Sequence, residues 1–169
     1  MKRQDHFLYV KQTNGRYAIA DPDEVVQSAH DIVASLYQRD NKTAISSPIV
    51  AREQLYLMMH REHEVFVAMF LDSKHRIIKA EELFRGTIDC CSVPVREIVK
   101  EALKCNAAAL IVAHNHPSGV SEPSMADKAL TEAIYLALNM VGVKLLDHFI
   151  FGSGGYENAV SFAEIGSLN

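Results

Sequence analysis

Ala113-His114-Asn115-His116-Pro117-Ser118-Gly119, followed by Pro123-Ser124-Met125-Ala126-Asp127, is the stretch whose residue types and spacing can do chemistry. In extended backbone, residues i and i+2 point to one face, so His114 and His116 at the end of a strand can converge on one ion. Pro117 and Gly119 stop the strand and turn the chain. The helix that follows carries Asp127 in its first turn, three residues after Ser124 as its cap. His, His and Asp suit Zn²⁺ with a fourth position open to water, the arrangement of a catalytic rather than a structural zinc site. Such a centre needs a base, because lowering the pKa of bound water to about 7 does not deliver its proton to a leaving group. Glu64, where a helix hands over to an apolar strand, is the carboxylate chosen for that task, with Glu62 close enough in sequence to exchange with it. Ser124 can donate to a developing oxyanion as well as cap its helix.

The elements that must position these residues follow from apolar periodicity. Phe7 to Val10 and Tyr17 to Ala20 flank Asn14-Gly15, which predicts an N-terminal hairpin. Asp21-Pro22 opens a helix with Val25, Val26, Ile32, Val33 and Leu36 at helical spacing, and Asp40 to Ser46 is a polar connector. Ser47-Pro48 starts a second helix expected to end near Arg61. Val65 to Leu71 and a run beginning at Arg76 and reaching Leu83-Phe84 read as two central antiparallel strands. Pro94 opens a helix with Ile98, Val99, Ala102 and Leu103 on one side. Ala107 to Ala113 is a small-residue strand. A helix capped by Ser124 runs to about Met140 with Leu130, Ile134, Leu138 and Val141 inward, and Val143 to Phe151 is a further strand. The tail from Tyr156 forms a last short strand or helix. Strands separated by helices in this order give a three-layer α/β domain with a mixed sheet.

Composition bounds the function without naming it. The chain has 169 residues, 49% hydrophobic and 22% charged, with a net charge of −4, as expected of one globular domain rather than a disordered chain. An acidic balance gives no positive field for a phosphate backbone, which disfavours non-specific nucleic-acid binding. Cys90, Cys91 and Cys105 are odd in number and lack C-x-x-C spacing, which argues against a deaminase zinc site and reads as reduced thiols in a cytoplasmic protein. The first ten residues lack the apolar centre of a secretory signal, and no stretch approaches the roughly 20 apolar residues of a membrane span.

His114-x-His116-Pro117 with Ser124 and Asp127 downstream and Glu64 upstream resembles the JAMM/MPN+ metalloprotease motif. More closely, Glu82-Leu83-Phe84-Arg85-Gly86-Thr87, Pro94-Val95-Arg96-Glu97, Asn106-Ala107-Ala108-Ala109, His114 to Gly119 and Leu146-Asp147-His148 together resemble the RadC family over about residues 46–163. The resemblance implies a three-layer α/β/α JAMM fold, similar to the cytidine-deaminase arrangement. It implies Zn²⁺ held by His114, His116 and Asp127, with Glu64 as general acid/base and Ser124 as oxyanion helper. Residues 1–45 would be an accessory hairpin and helix, and 46–169 the RadC-like JAMM domain. Longer members add a helix-hairpin-helix DNA-binding segment that residues 1–45 do not match.

The leading expectation is a zinc-dependent hydrolase in which metal-activated water, with Glu64 taking its proton, cleaves a peptide or isopeptide bond of an unidentified peptide or protein. A DNA-repair-associated DNA-binding protein or metal-dependent nuclease is the alternative that the family's name supports. A non-catalytic interaction domain is the third. His60-Arg61-Glu62-His63-Glu64 fits neither H-E-x-x-H nor H-x-x-E-H and reads as a solvated helix end. Asp147-His148 reads as a buried hydrogen-bonded pair, Met58-Met59 as core, and Arg96-Glu97 as an ion pair or a substrate contact.

Overall fold

The computed structural model describes residues 8–11, 15–22, 24–26, 28–29, 32, 44–59, 61–86 and 93–168. Its elements are β1 (Tyr9–Lys11), β2 (Tyr17–Ile19), α1 (Pro48–Met59), β3 (Val65–Leu71), β4 (Ile77–Arg85), α2 (Val95–Lys104), β5 (Ala109–Asn115), α3 (Met125–Met140), β6 (Lys144–Phe151), a 3₁₀ turn (Tyr156–Asn158) and β7 (Val160–Ser161). β1 and β2 pair as the expected hairpin, with Gly15 in the left-handed region at φ 80°. The described residues between 22 and 32 are helical. The rest of that predicted helix, residues 40–43 of the connector, His60, Thr87, Cys90 and Cys91 lie outside the described residues.

Five strands form one sheet in the order β4-β3-β5-β6-β7. β3 runs antiparallel to β4 and β5, β5 is parallel to β6, and β7 returns antiparallel. The parallel step needs a crossover, which α3 supplies. β3 and β5 are buried along their whole length, and their side chains alternate between two cores. Val65, Val67, Met69, Leu71, Ile111 and Ala113 face Ala51, Leu55, Met58 and Met59 of α1. Phe66, Ala68, Phe70, Leu110 and Val112 face Ile98 and Ala102 of α2 and Ile134 and Leu138 of α3. Helices thus cover both faces of a mixed sheet, the three-layer arrangement expected from the order of elements. Among the described residues, no helix is long and apolar enough to cross a membrane.

The structure moves several expected boundaries, each for a local reason. α1 stops at Met59 rather than Arg61, and the carbonyls of Arg61 and His63 instead accept hydrogen bonds from Asn115 Nδ2. Among the described residues β4 is an edge strand rather than a central one, pairing in the sheet with β3 alone. In α2 the buried stripe is Ile98 and Ala102 with Val95 and Val99 beside it, while Leu103 is 55% exposed. β5 starts two residues late because Asn106, at φ 54°, and Ala107–Ala108 complete the turn out of α2, and it ends at Asn115 rather than Ala113. Val141 caps α3 at its C-terminus and is turned outward, and Val143 takes the buried position.

The β3–β4 turn yields a pH prediction. Asp72 accepts from the backbone N–H groups of Lys74 and Arg76 and from Arg76 Nε, at 2.8, 3.0 and 2.6 Å. These bonds, those from Arg76 first, lower its pKa from an ordinary 3.8 to about 2. A depressed folded-state pKa means that the turn's contribution is complete above the ordinary value and is lost as pH falls through about 2. A carboxyl ¹³C NMR titration is expected to place the Asp72 midpoint near that lower value; a midpoint at the ordinary one would remove the argument.

Candidate metal centre

The centre is built where β5 ends and α3 begins. β5 is extended, so His114 and His116 follow the period of two, and His116 N–H still donates to Phe151 O at 2.8 Å as the parallel pairing runs out. Pro117 to Val120 then folds back, with Gly119 at φ 84° and its carbonyl accepting from Ser153 N–H at 2.8 Å. Gly152 is needed for that approach, since a Cβ there would lie 2.3 Å from Gly119 O. The turn brings the Val120 carbonyl to 2.6 Å from His116 Nδ1. A carbonyl only accepts, so Nδ1 carries the proton and His116 Nε2 is left as a lone pair.

Asp127 enters from the other side. Ser124 caps α3, its Oγ accepting from Asp127 N–H at 3.1 Å, while Asp127 Oδ2 accepts from Ser124 N–H at 2.7 Å and from Ser124 Oγ at 2.6 Å. This reciprocal box fixes the carboxylate at the positive end of the helix. His114 Nε2 stands 3.2 Å from Asp127 Oδ1, His116 Nε2 stands 3.5 Å from Oδ2, and the two Nε2 atoms are 3.0 Å apart. Two donors on one tetrahedral zinc, each about 2.0 to 2.1 Å from it, are about 3.3 Å apart. The spacing and the donor types therefore fit zinc. Among the described residues, this is the one group of three or more His, Cys, Asp or Glu side chains placed to hold an ion.

The electrostatics agree with that fit. Burial opposes charge on Asp127, but the hydrogen bonds it accepts from His114 and His116 when those rings carry a proton on Nε2, and from Ser124, outweigh it and hold the carboxyl well below the ordinary range. The His116 pKa is raised chiefly because the doubly protonated ring donates Nε2–H to Asp127, against burial, with the Val120 carbonyl and the charges of Asp127 and Glu64 adding to the rise. Ser124 is a cap in this structure, and its hydroxyl proton is committed to Asp127.

Glu64 sits half-buried in the loop between α1 and β3, and its charge reaches His116. Asn115, between the two histidines, accepts from Val65 N–H at 2.8 Å and so ties that loop to β5. Glu62 is exposed and lines a cleft of about 680 Å³ that His116, His63, Arg85, Asn115 and Gly152 also line. The described part of the His60–Glu64 run is thus a loop over this cleft and contributes no separate ligand group.

Thr131 and His148 belong to the site although no metal-ligand motif or spacing points to them. His148 Nε2 lies 2.8 Å from His114 Nδ1, and its Nδ1 lies 2.6 Å from Thr131 Oγ1. Its ring is fully buried, stacked on Phe162 and edge-on to Phe66, and burial, followed by charge on His114, pushes its pKa well below the ordinary value. Asp147 does not bond the His148 ring. It accepts from the His148 and Ala163 N–H groups and from Ser161 Oγ, and so secures the C-terminal strand. Alternation along β6 is the signal that could have separated the two, since neighbours on a strand face opposite ways. Arg96 and Glu97 lie 3.8 Å apart as a surface pair, with the Arg96 side chain 88% exposed.

A family model described as a RadC-like JAB domain matches residues 45–167. A UPF0758 protein of Leptothrix cholodnii is 51% identical over 138 residues, covering 81% of this chain and 60% of that protein. A UPF0758 protein of Methylibium petroleiphilum is 52% identical over 136 residues, 79% of this chain and 60% of that protein. One of Actinobacillus succinogenes is 52% identical over 122 residues, 70% of this chain and 53% of that protein. The chain thus spans no more than about 60% of the length of these relatives. With strand, turn and capped helix arranged as the motif requires and the family model covering them all, the chain belongs to the RadC-like JAB domain family.

Proposed function

We propose that this domain is a zinc-dependent hydrolase that cleaves a peptide or isopeptide bond. The observation that carries the reading is the convergence of His114 Nε2, His116 Nε2 and the Asp127 carboxylate at separations of 3.0 to 3.5 Å. Zinc held by these three residues supplies a Lewis acid and lowers the pKa of water to about 7. Glu64 accepts the proton from the attacking water and returns it to the leaving nitrogen. Ser124 orients Asp127 through its two bonds to Oδ2, and its hydroxyl donates to the developing oxyanion only when it turns from the carboxylate. The cleft beside His116 receives the scissile segment, with Arg85 and His63 on its wall.

The test is elemental analysis of protein purified without added metal, joined to a panel of peptide and isopeptide substrates. About one zinc per chain is expected, with cleavage abolished by a chelator and restored by zinc. Full occupancy without cleavage of any amide would remove the peptidase reading. No zinc in a folded protein would leave the interaction-domain reading in its place. DNA binding that weakens steeply with salt would favour the DNA-associated reading, against which the charge of −4 stands.

A further inference from the structure

We propose that Thr131 and His148 are positioning residues whose hydrogen bonds fix which nitrogen of His114 faces the metal centre. The inference rests on the zinc reading of His114, His116 and Asp127. A histidine ligates a metal through a lone pair, so Nε2 of His114 is available only when the ring proton sits on Nδ1. The partner of that Nδ1 is the ring of His148, which can either donate or accept, so this contact alone leaves the choice open.

The choice is made one turn along α3. Thr131 Oγ1 donates its single proton to the backbone carbonyl of Asp127 at 2.6 Å, and a carbonyl has no proton to give back. Toward His148 the hydroxyl can therefore only accept, which places the ring proton of His148 on Nδ1, 2.6 Å away. His148 is fully buried against Phe66 and Phe162, its two ring nitrogens facing the uncharged Thr131 hydroxyl and the His114 ring, and burial without a carboxylate partner favours the ring with one proton, so its Nε2 is then a lone pair. That lone pair accepts from His114 Nδ1–H at 2.8 Å, and His114 Nε2 is left open toward His116 and Asp127.

The relay runs from the side chain of one ligand to the backbone of another. Its geometry follows from two regularities. Thr131 is one helical turn from Asp127, and in the parallel β5–β6 register Val112 is opposite His148, so His148 shares a face with His114 two residues on. For His116 the Val120 carbonyl makes the same choice directly. Both imidazoles are thereby set to present Nε2, one by a carbonyl and the other through two intermediates.

The experiment compares wild type, Thr131→Val and Thr131→Ser. Long-range ¹H–¹⁵N spectra of the histidine rings assign the protonated nitrogen of His148, and competition with a chromogenic chelator gives the zinc dissociation constant. In wild type the His148 proton is expected on Nδ1. Thr131→Val removes the acceptor, the proton of His148 moves to Nε2, and zinc binds about 10- to 100-fold more weakly. Thr131→Ser, which restores the hydroxyl, keeps the wild-type tautomer and near wild-type affinity. A His148 proton on Nε2 in wild type, or a valine variant with unchanged zinc affinity, would overturn the proposal, as would a serine variant no better than valine. If wild type takes up no zinc, the metal reading falls, and the ring assignment in the same samples still decides the tautomer.

Discussion

Glu64→Gln is expected to leave the zinc content unchanged and to cut the rate of amide cleavage by about 10²- to 10⁴-fold, the span that a positioned general base contributes. Zinc stays because Glu64 is not among the three groups whose atoms converge. Cleavage falls because an amide has the size of the carboxylate but no basic site for the proton. The loop position, half-buried next to β3 with its charge reaching His116, is what selects Glu64. Glu62→Gln is the matched control, since Glu62 lines the cleft and is exposed. Elemental analysis together with initial rates checks both variants. Wild-type rates in Glu64→Gln, with a collapse in Glu62→Gln, would exchange their roles.

Changing His114 and His116 together to Ala is expected to take zinc from about one per chain to none and to abolish all zinc-dependent cleavage, because one carboxylate cannot hold the ion alone. The fold should persist, since neither ring belongs to the apolar side chains that fill the two cores between the sheet and its helices. Stability should still drop, because removing the buried His114 ring leaves His148 Nε2 without a partner, at a cost of about 1–3 kcal/mol. Thermal unfolding in the presence of a chelator separates that cost from the stabilisation that bound zinc adds to wild type. An unchanged zinc content in the double variant would place the metal elsewhere.

The convergence of His114, His116 and Asp127 was legible because it is local. His114 and His116 obey the period of a strand, and Asp127 occupies the third helical position after a residue that caps, so two short-range rules bring them together. The layer arrangement was legible for a similar reason, since the β3 run Val65–Leu71 is apolar throughout and a strand that reads so must be covered on both faces. What the sequence did not show depends on register between segments far apart. Thr131 looks like an ordinary helix residue until α3 is laid against β6. Asp147 and His148, adjacent in sequence, read as one pair, yet the strand sends one to Ser161 and the other to His114. The edge position of β4 is likewise a property of the assembled sheet, because a strand's own pattern does not state how many neighbours it has. Ser124 sits between these cases: its capping was legible, while the commitment of its hydroxyl to Asp127 required coordinates.

Asn115 has a consequence for the order in which the site is made ready. Lying between the two histidines, it points to the other face of β5 and makes three bonds at the entry to β3, from the N–H of Val65, the first residue of that strand, and to the carbonyls of Arg61 and His63 in the loop before it. The two carbonyls belong to a stretch outside helix and sheet, where backbone would otherwise be free to sample many conformations. Glu64 lies inside the clamped stretch, so its backbone is ordered by the same strand that carries His114 and His116. For Glu64 in the proposed role of base, the conformational entropy of placing it would be lost once, during folding, and not be demanded again at each turnover.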